Sequence, residues 1–179
     1  MAYQYSLQDP LHPENLKNKQ RSLREGFPKP LTLRVHRALS WLRRAEDESE
    51  DDDVRFILLW IGFNAAYAGD VEKASGADGR RERDAFLDFF RTLVSFDGQH
   101  RIYDMVWSRF PQEIRLLLDN RYVFAPFWLH HNGMVGYTNW EERLEGARRQ
   151  VNRALAEHDT ATLLSLLFDR LYVLRNQLV

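Results

Sequence analysis

The sequence predicts an all-α fold, a single-domain helical bundle of five to seven helices. Three observations carry that expectation. Apolar residues recur at intervals of three and four along most of the chain, the spacing of one helix face. No run rich in Val, Ile and Thr alternates with polar residues as a half-buried strand would. Apolar residues make up 44% of the 179 residues and aromatic ones 13%, enough for a packed interior.

The elements follow in order. Residues 1–30 hold four of the six prolines and little periodicity, and read as an irregular N-terminal arm. A first helix is expected over 31–48, with Leu31, Val35, Ala38, Leu39, Leu42 and Ala45 as its stripe. The stretch EDESEDDD (46–53) has seven acids in eight residues. It reads as a solvated turn whose last aspartates favour the next helix N-terminus through its dipole. A second helix over 52–68 is apolar almost all round, from Val54 through Trp60 and Phe63 to Tyr67. Such a helix sits at the centre of a bundle or under a partner. GDVEKASGADG (69–79) reads as a loop.

A third helix over 80–95 would present Phe86, Phe89, Phe90 and Leu93. Shorter pieces follow over 99–109, and Pro111 then opens a helix to about 119. Residues 120–138, NRYVFAPFWLHHNGMVGYT, read as an aromatic loop. Asn139 stands three residues before Glu142, the spacing of a capping box, ahead of a helix that buries Trp140, Leu144, Ala147, Val151 and Ala154. The last helix opens near Asp159. Leu163, Leu167, Leu171, Leu174 and Leu178 form one line along it; Leu164, Phe168, Tyr172, Arg175 and Val179 form the next.

Composition excludes several function classes. There is no cysteine, hence no disulfide, thiolate nucleophile or Cys-based zinc site, which fits a reducing cytoplasm. The opening MAYQYSLQDPLHPENLK is too polar for a secretory leader. The longest apolar stretch, residues 56–69, is too short to span a bilayer and contains Asn64, so no membrane partner is expected. The formal net charge of −1 leaves nucleic acid only a local basic site, with modest and salt-sensitive binding.

Two polar residues interrupt the two most apolar helices. Arg175 is the one charged member of its line, with Asn176 beside it, and Asn64 is an amide within the second helix. A buried polar group needs a partner, so the pair points to a shared polar pocket. Other candidates are weaker. His130 and His131 are chain neighbours with no third metal ligand spaced to help. His100 and His158 stand near helix starts. RRERD (80–84) and Arg148–Arg149 read as solvated faces.

The ending LYVLRNQLV (171–179) resembles the start of the signature of the HEPN family: Arg, a polar residue, a few more positions, then His. LLWIGFNAAYAG (58–69) is similar to the second-helix pattern of many HEPN proteins. The resemblance spans 31–179 and is specific only in these two pieces. With the minimum spacing, the family's His would directly follow Val179, and no Gly, Asn or Pro stop signal closes the last helix. The expectation is a HEPN-like domain over 31–179, cut at its C-terminus before the catalytic His.

What the resemblance implies is a metal-independent, cofactor-free endoribonuclease of the cytoplasm, often a toxin or defence effector. It would act as a homodimer with RNA as substrate, and an antitoxin or regulatory protein could accompany it. The ribose 2′-OH would attack the adjacent phosphate, with the His as general acid or base. Arg175 would stabilise phosphate charge and Asn176 would orient the His or a phosphate oxygen, with Asn64 in support. Without the His, this chain would be inactive. The alternative from another class is a non-catalytic helical dimerisation or interaction module in a defence or toxin–antitoxin system.

Overall fold

A computed structural model describes the backbone of residues 9–74 and 79–179, and side chains there outside 68–85. Among these residues the fold is all-α, with no strand. The described helices are α1 (Pro13–Leu23), α2 (Lys29–Asp47), α3 (Asp52–Ala74), α4 (Gly79–Ser95), α5 (Arg101–Asp104), α6 (Pro111–Asp119), α7 (Ala125–His131), α8 (Trp140–Ala156) and α9 (Thr160–Gln177). They outnumber the expected five to seven because two segments read as irregular contain helices. None of the described helices is long and apolar enough to cross a membrane. The chain divides into two compact units, Met1–Asp78 and Gly79–Gln177, each taken by itself below.

In the first unit, the arm read as irregular holds α1. Its prolines explain why: Pro13 occupies the first turn, where a missing N–H costs nothing, and Pro28 and Pro30 bracket the start of α2 in the same way. The His12 ring accepts from the Glu14 N–H at 3.3 Å. α2 and α3 form the principal helix pair. They approach closely at Gly62, where an added Cβ would stand 3.4 Å from both the Ala38 carbonyl oxygen and Trp41 Cβ. Arg55 and Glu46 join them at 3.4 Å, with both side chains largely shielded.

The acidic stretch between α2 and α3 is a capping turn. Asp51 Oδ1 accepts from the N–H groups of Asp53 and Val54, and Glu48 Oε1 from those of Glu50 and Asp51. The loop expected over 69–79 is helical as far as Ala74, and 75–78 lie outside the described residues. Burial along the described part of α3 is uneven. Trp60, Gly62 and Tyr67 are buried, whereas Val54 and Leu59 are exposed.

In the second unit, α9 packs against α4, α6, α8 and the 121–123 turn. Its Phe168 meets Phe90 and Phe86 of α4 at ring-centroid distances of 4.9 and 6.1 Å. Leu163 and Leu118 are the most fully buried large side chains. Three of the four expected α4 core residues turn inward and Leu93 stays exposed. A single π-helical turn, Met105–Arg109, leads from α5 toward α6.

The aromatic stretch expected as a loop contains a 3-10 turn (Arg121–Val123) and α7. Pro126 is again at a first helical turn, which is where proline fits. The Asn139 capping box does not form. Asn139 Oδ1 accepts instead from Arg143 Nε at 2.9 Å, and the same guanidinium donates to the Gly136 carbonyl at 2.9 Å. A guanidinium one turn on outcompetes the backbone N–H groups for the Asn oxygen.

Candidate functional site

α9 begins on a satisfied cap. Asp159 Oδ1 accepts from the Thr162 N–H at 3.0 Å and Oδ2 from its hydroxyl at 2.6 Å. Burial pushes this carboxyl up, but the Thr162 bonds, the Arg91 charge and the Ala161 N–H together hold it below its usual value. The chain enters the cap from a Schellman ending of α8. His158 occupies its left-handed position at φ 52°, and the Asp159 N–H reaches the Ala154 carbonyl at 2.9 Å. His158 stacks on Trp107 at 4.5 Å, and Trp107 Nε1 donates to Thr160 Oγ1 at 2.9 Å.

The far end of α9 carries the residues of interest. Arg170, Val173 and Gln177 recur at three and four residues and so share one face. That face meets the 121–124 segment. Gln177 Nε2 donates to the Tyr122 carbonyl at 2.6 Å, and Trp128 Nε1 donates to the same oxygen at 2.7 Å. Arg170 lies with its guanidinium 4.4 Å from the centre of the Phe124 ring. It is only 7% exposed, and its Nε has no hydrogen-bond partner. Burial lowers its pKa, opposed in part by the neighbouring Asp169 charge, yet a guanidinium in protein stays protonated.

Arg175 lies on an adjacent line, one turn beyond Tyr172. Its guanidinium stands 5.2 Å from the Tyr172 ring centre. The side chain is half-buried, its Nε is shielded from water without a hydrogen-bond partner, and no carboxylate among the described residues pairs with it. Asn176 is exposed. The result is two cations near the end of one helix, neither neutralised by an ion pair, beside an aromatic segment. A guanidinium stacked on one face keeps its edge free for a bidentate oxyanion contact.

Asn64 departs from its expected place. It is exposed on α3, not buried. Its amide needs no protein partner, so the reason for expecting a shared pocket with Arg175 falls away. Asn64 belongs to the first unit and Arg175 to the second.

The other candidates resolve locally. His131 Nδ1 lies 3.0 Å from the Phe127 carbonyl, and its ring covers Phe127 at 4.1 Å. No group of three His, Cys, Asp or Glu among the described residues could hold a metal ion. His100, at φ 54°, does not cap α5; Asp97 does, accepting from the N–H groups of Arg101, Ile102 and Tyr103. Arg148 is held by Asp119 at 2.5 Å and by Glu145, hydrogen bonds that raise its pKa further. The side chains of RRERD (80–84) lie outside the described residues.

Sequence reasoning missed Arg170 and Gln177. The signal was present: Arg170 stands seven residues after Leu163 and three before Val173, on a buried line. Compared with family models, with characterised proteins and with solved structures, the chain shows no match.

Proposed function

We propose that this chain is a HEPN-like domain built for metal-independent RNA cleavage at the end of α9. The supporting observation is Arg175: a half-buried guanidinium with no carboxylate partner among the described residues, followed directly by an exposed Asn. In this reading Arg175 binds the scissile phosphate and stabilises the charge that grows on its oxygens as the ribose 2′-OH attacks. Asn176 orients a phosphate oxygen or the histidine that follows in the family's pattern. Asn64, exposed on α3, keeps at most a substrate contact and no longer a pocket role.

The histidine requirement makes the 179-residue chain inactive in this reading. A homodimer would bring two α9 ends together.

The test is RNA cleavage in EDTA by three proteins: this chain, the chain with a histidine placed directly after Val179, and that extended chain carrying Arg175→Ala. Cleavage by the extended chain alone, leaving 2′,3′-cyclic phosphate ends, supports the nuclease. Intact RNA in all three, across several substrates, removes it in favour of the interaction module.

A further inference from the structure

A second polar site lies in the first unit, and the chemistry at Arg175 does not explain it. Between His12 and Arg44 the chain holds nine Lys and Arg residues against two Glu, although the whole protein is almost neutral. Many of the balancing acids are concentrated in 46–53, where they cap α3 or pair with Arg55 and Arg43. The rest of the basic stretch therefore keeps its charge.

Part of that charge converges on one cleft. α1 and α2 pack together and leave a cavity of about 270 Å³ between them. Lys17, Arg21 and Arg24 line it from the α1 side, and Thr32 and His36 from α2. No Asp or Glu lines it, and none of the three cations has an ion-pair partner among the described residues. Lys17 and Arg21 are one turn apart, and Arg24 follows after three residues, so the three charges rise along a single edge.

The remaining polar group at the cleft is Gln20. It is 7% exposed and lines the cavity, yet its side-chain amide has no hydrogen-bond partner among the described residues. Its polar atoms are not sealed from water and so remain open to a ligand or solvent in the cleft. Its NH2 group can donate to an oxyanion, as can the Thr32 hydroxyl, which otherwise makes only a 3.3 Å contact with the Pro28 carbonyl at the start of its own helix.

We propose that the α1–α2 cleft is a binding site for a phosphoryl group. A cluster of cations without acids favours a multiply charged anion over a single carboxylate, and two guanidinium forks match the geometry of phosphate oxygens. The phosphoryl group can belong to the backbone of a single-stranded RNA or to a free nucleotide or inorganic phosphate. The site is separate from the α9 end, and its occupancy does not depend on cleavage there.

The experiment uses the full chain with a fluorescent single-stranded RNA, then with inorganic phosphate and ATP as competitors. The variants are Gln20→Leu, the double variant Arg21→Glu/Arg24→Glu, and Arg153→Glu on the exposed face of α8. Helix content and melting temperature are measured for each. Arg21 and Arg24 are exposed, so the double variant should fold.

The site predicts that the double variant weakens RNA binding at least tenfold. It should also lower the salt slope by about 1.4, because two phosphates of the strand are no longer neutralised. Gln20→Leu should weaken binding several-fold, and Arg153→Glu should leave it intact. Competition by phosphate at millimolar concentration assigns the site to the RNA backbone. If RNA binding is unchanged but thermal stabilisation by ATP or phosphate is lost in the double variant, the same site serves a free phosphoryl ligand. The proposal is overturned if the wild type binds none of the three, if the double variant binds them all equally well, or if Arg153→Glu is as damaging.

Discussion

The two ends of α9 treat their polar groups in opposite ways. At the N-terminal end, Asp159 meets Thr162 twice, Trp107 reaches Thr160, and the Schellman turn closes α8 onto the same point. At the C-terminal end, Arg170 rests on an aromatic ring with an unbonded Nε, and Arg175 has a ring and no carboxylate. Stability alone would favour the first arrangement everywhere, since unpaired buried charge is costly. The contrast separates an end whose polar groups are bonded from an end whose cations are not.

The largest expected effect tests that difference. In the histidine-extended chain, Arg175→Ala should lower RNA cleavage by roughly a hundredfold or more, the scale seen when a donor to a developing oxyanion is removed. Its melting temperature should move little. A large fall in stability with cleavage retained would make Arg175 a structural residue and erase the contrast.

Arg170→Met comes next. It replaces a buried, unpaired guanidinium by an apolar chain of similar reach, which in buried ion clusters is neutral or stabilising by up to about 4 kcal/mol. Removing the guanidinium from the Phe124 ring offsets part of this, about 1 kcal/mol. Urea unfolding should thus show a variant at least as stable as the wild type. A destabilisation of more than about 2 kcal/mol would show that the stacking on Phe124 is worth more than the buried charge costs.

At the other end, Asp159→Ala should cost about 1 kcal/mol of stability, the usual worth of a side-chain cap. Its pH dependence has a definite sign. The folded carboxyl titrates below its unfolded value near 3.9, so its contribution is complete above about pH 4–5 and disappears as pH falls through the folded value. Wild type and variant should converge in acid. A gap that persists at pH 2 would mean that the carboxylate is not the stabilising group. The smallest effect belongs to Arg148→Ala, which breaks exposed bridges to Asp119 and Glu145 and should cost less than about 1 kcal/mol, shrinking further in high salt.

The same division between local and distant causes runs through the sequence reading. Helices α2, α6, α8 and α9 were legible within a few residues, because their stripes and caps are local properties. α1 and α7 were not, since their prolines read as breakers until each is seen at the first turn of a helix. Asn139 looked like a cap until Arg143 was seen to hold it. Arg175 and Asn176 were visible as polar residues in an apolar pattern, but Gln177 needed the Tyr122 carbonyl and Arg170 needed Phe124 to acquire meaning.

By itself, the sequence determined the all-α class, the helix spacing, the acidic capping turn and the near-neutral charge with a basic stretch from His12 to Arg44. These depend on neighbours within about one helical turn. Tertiary structure alone decided the surroundings of each polar group: Asn64 turned out to water, Arg170 sealed over a ring, Gln20 lining a cleft beside three cations. A residue's type states which bonds it can make. Only packing against segments distant in the chain determines whether those bonds are made, and it is the unmade ones that mark where a ligand can bind.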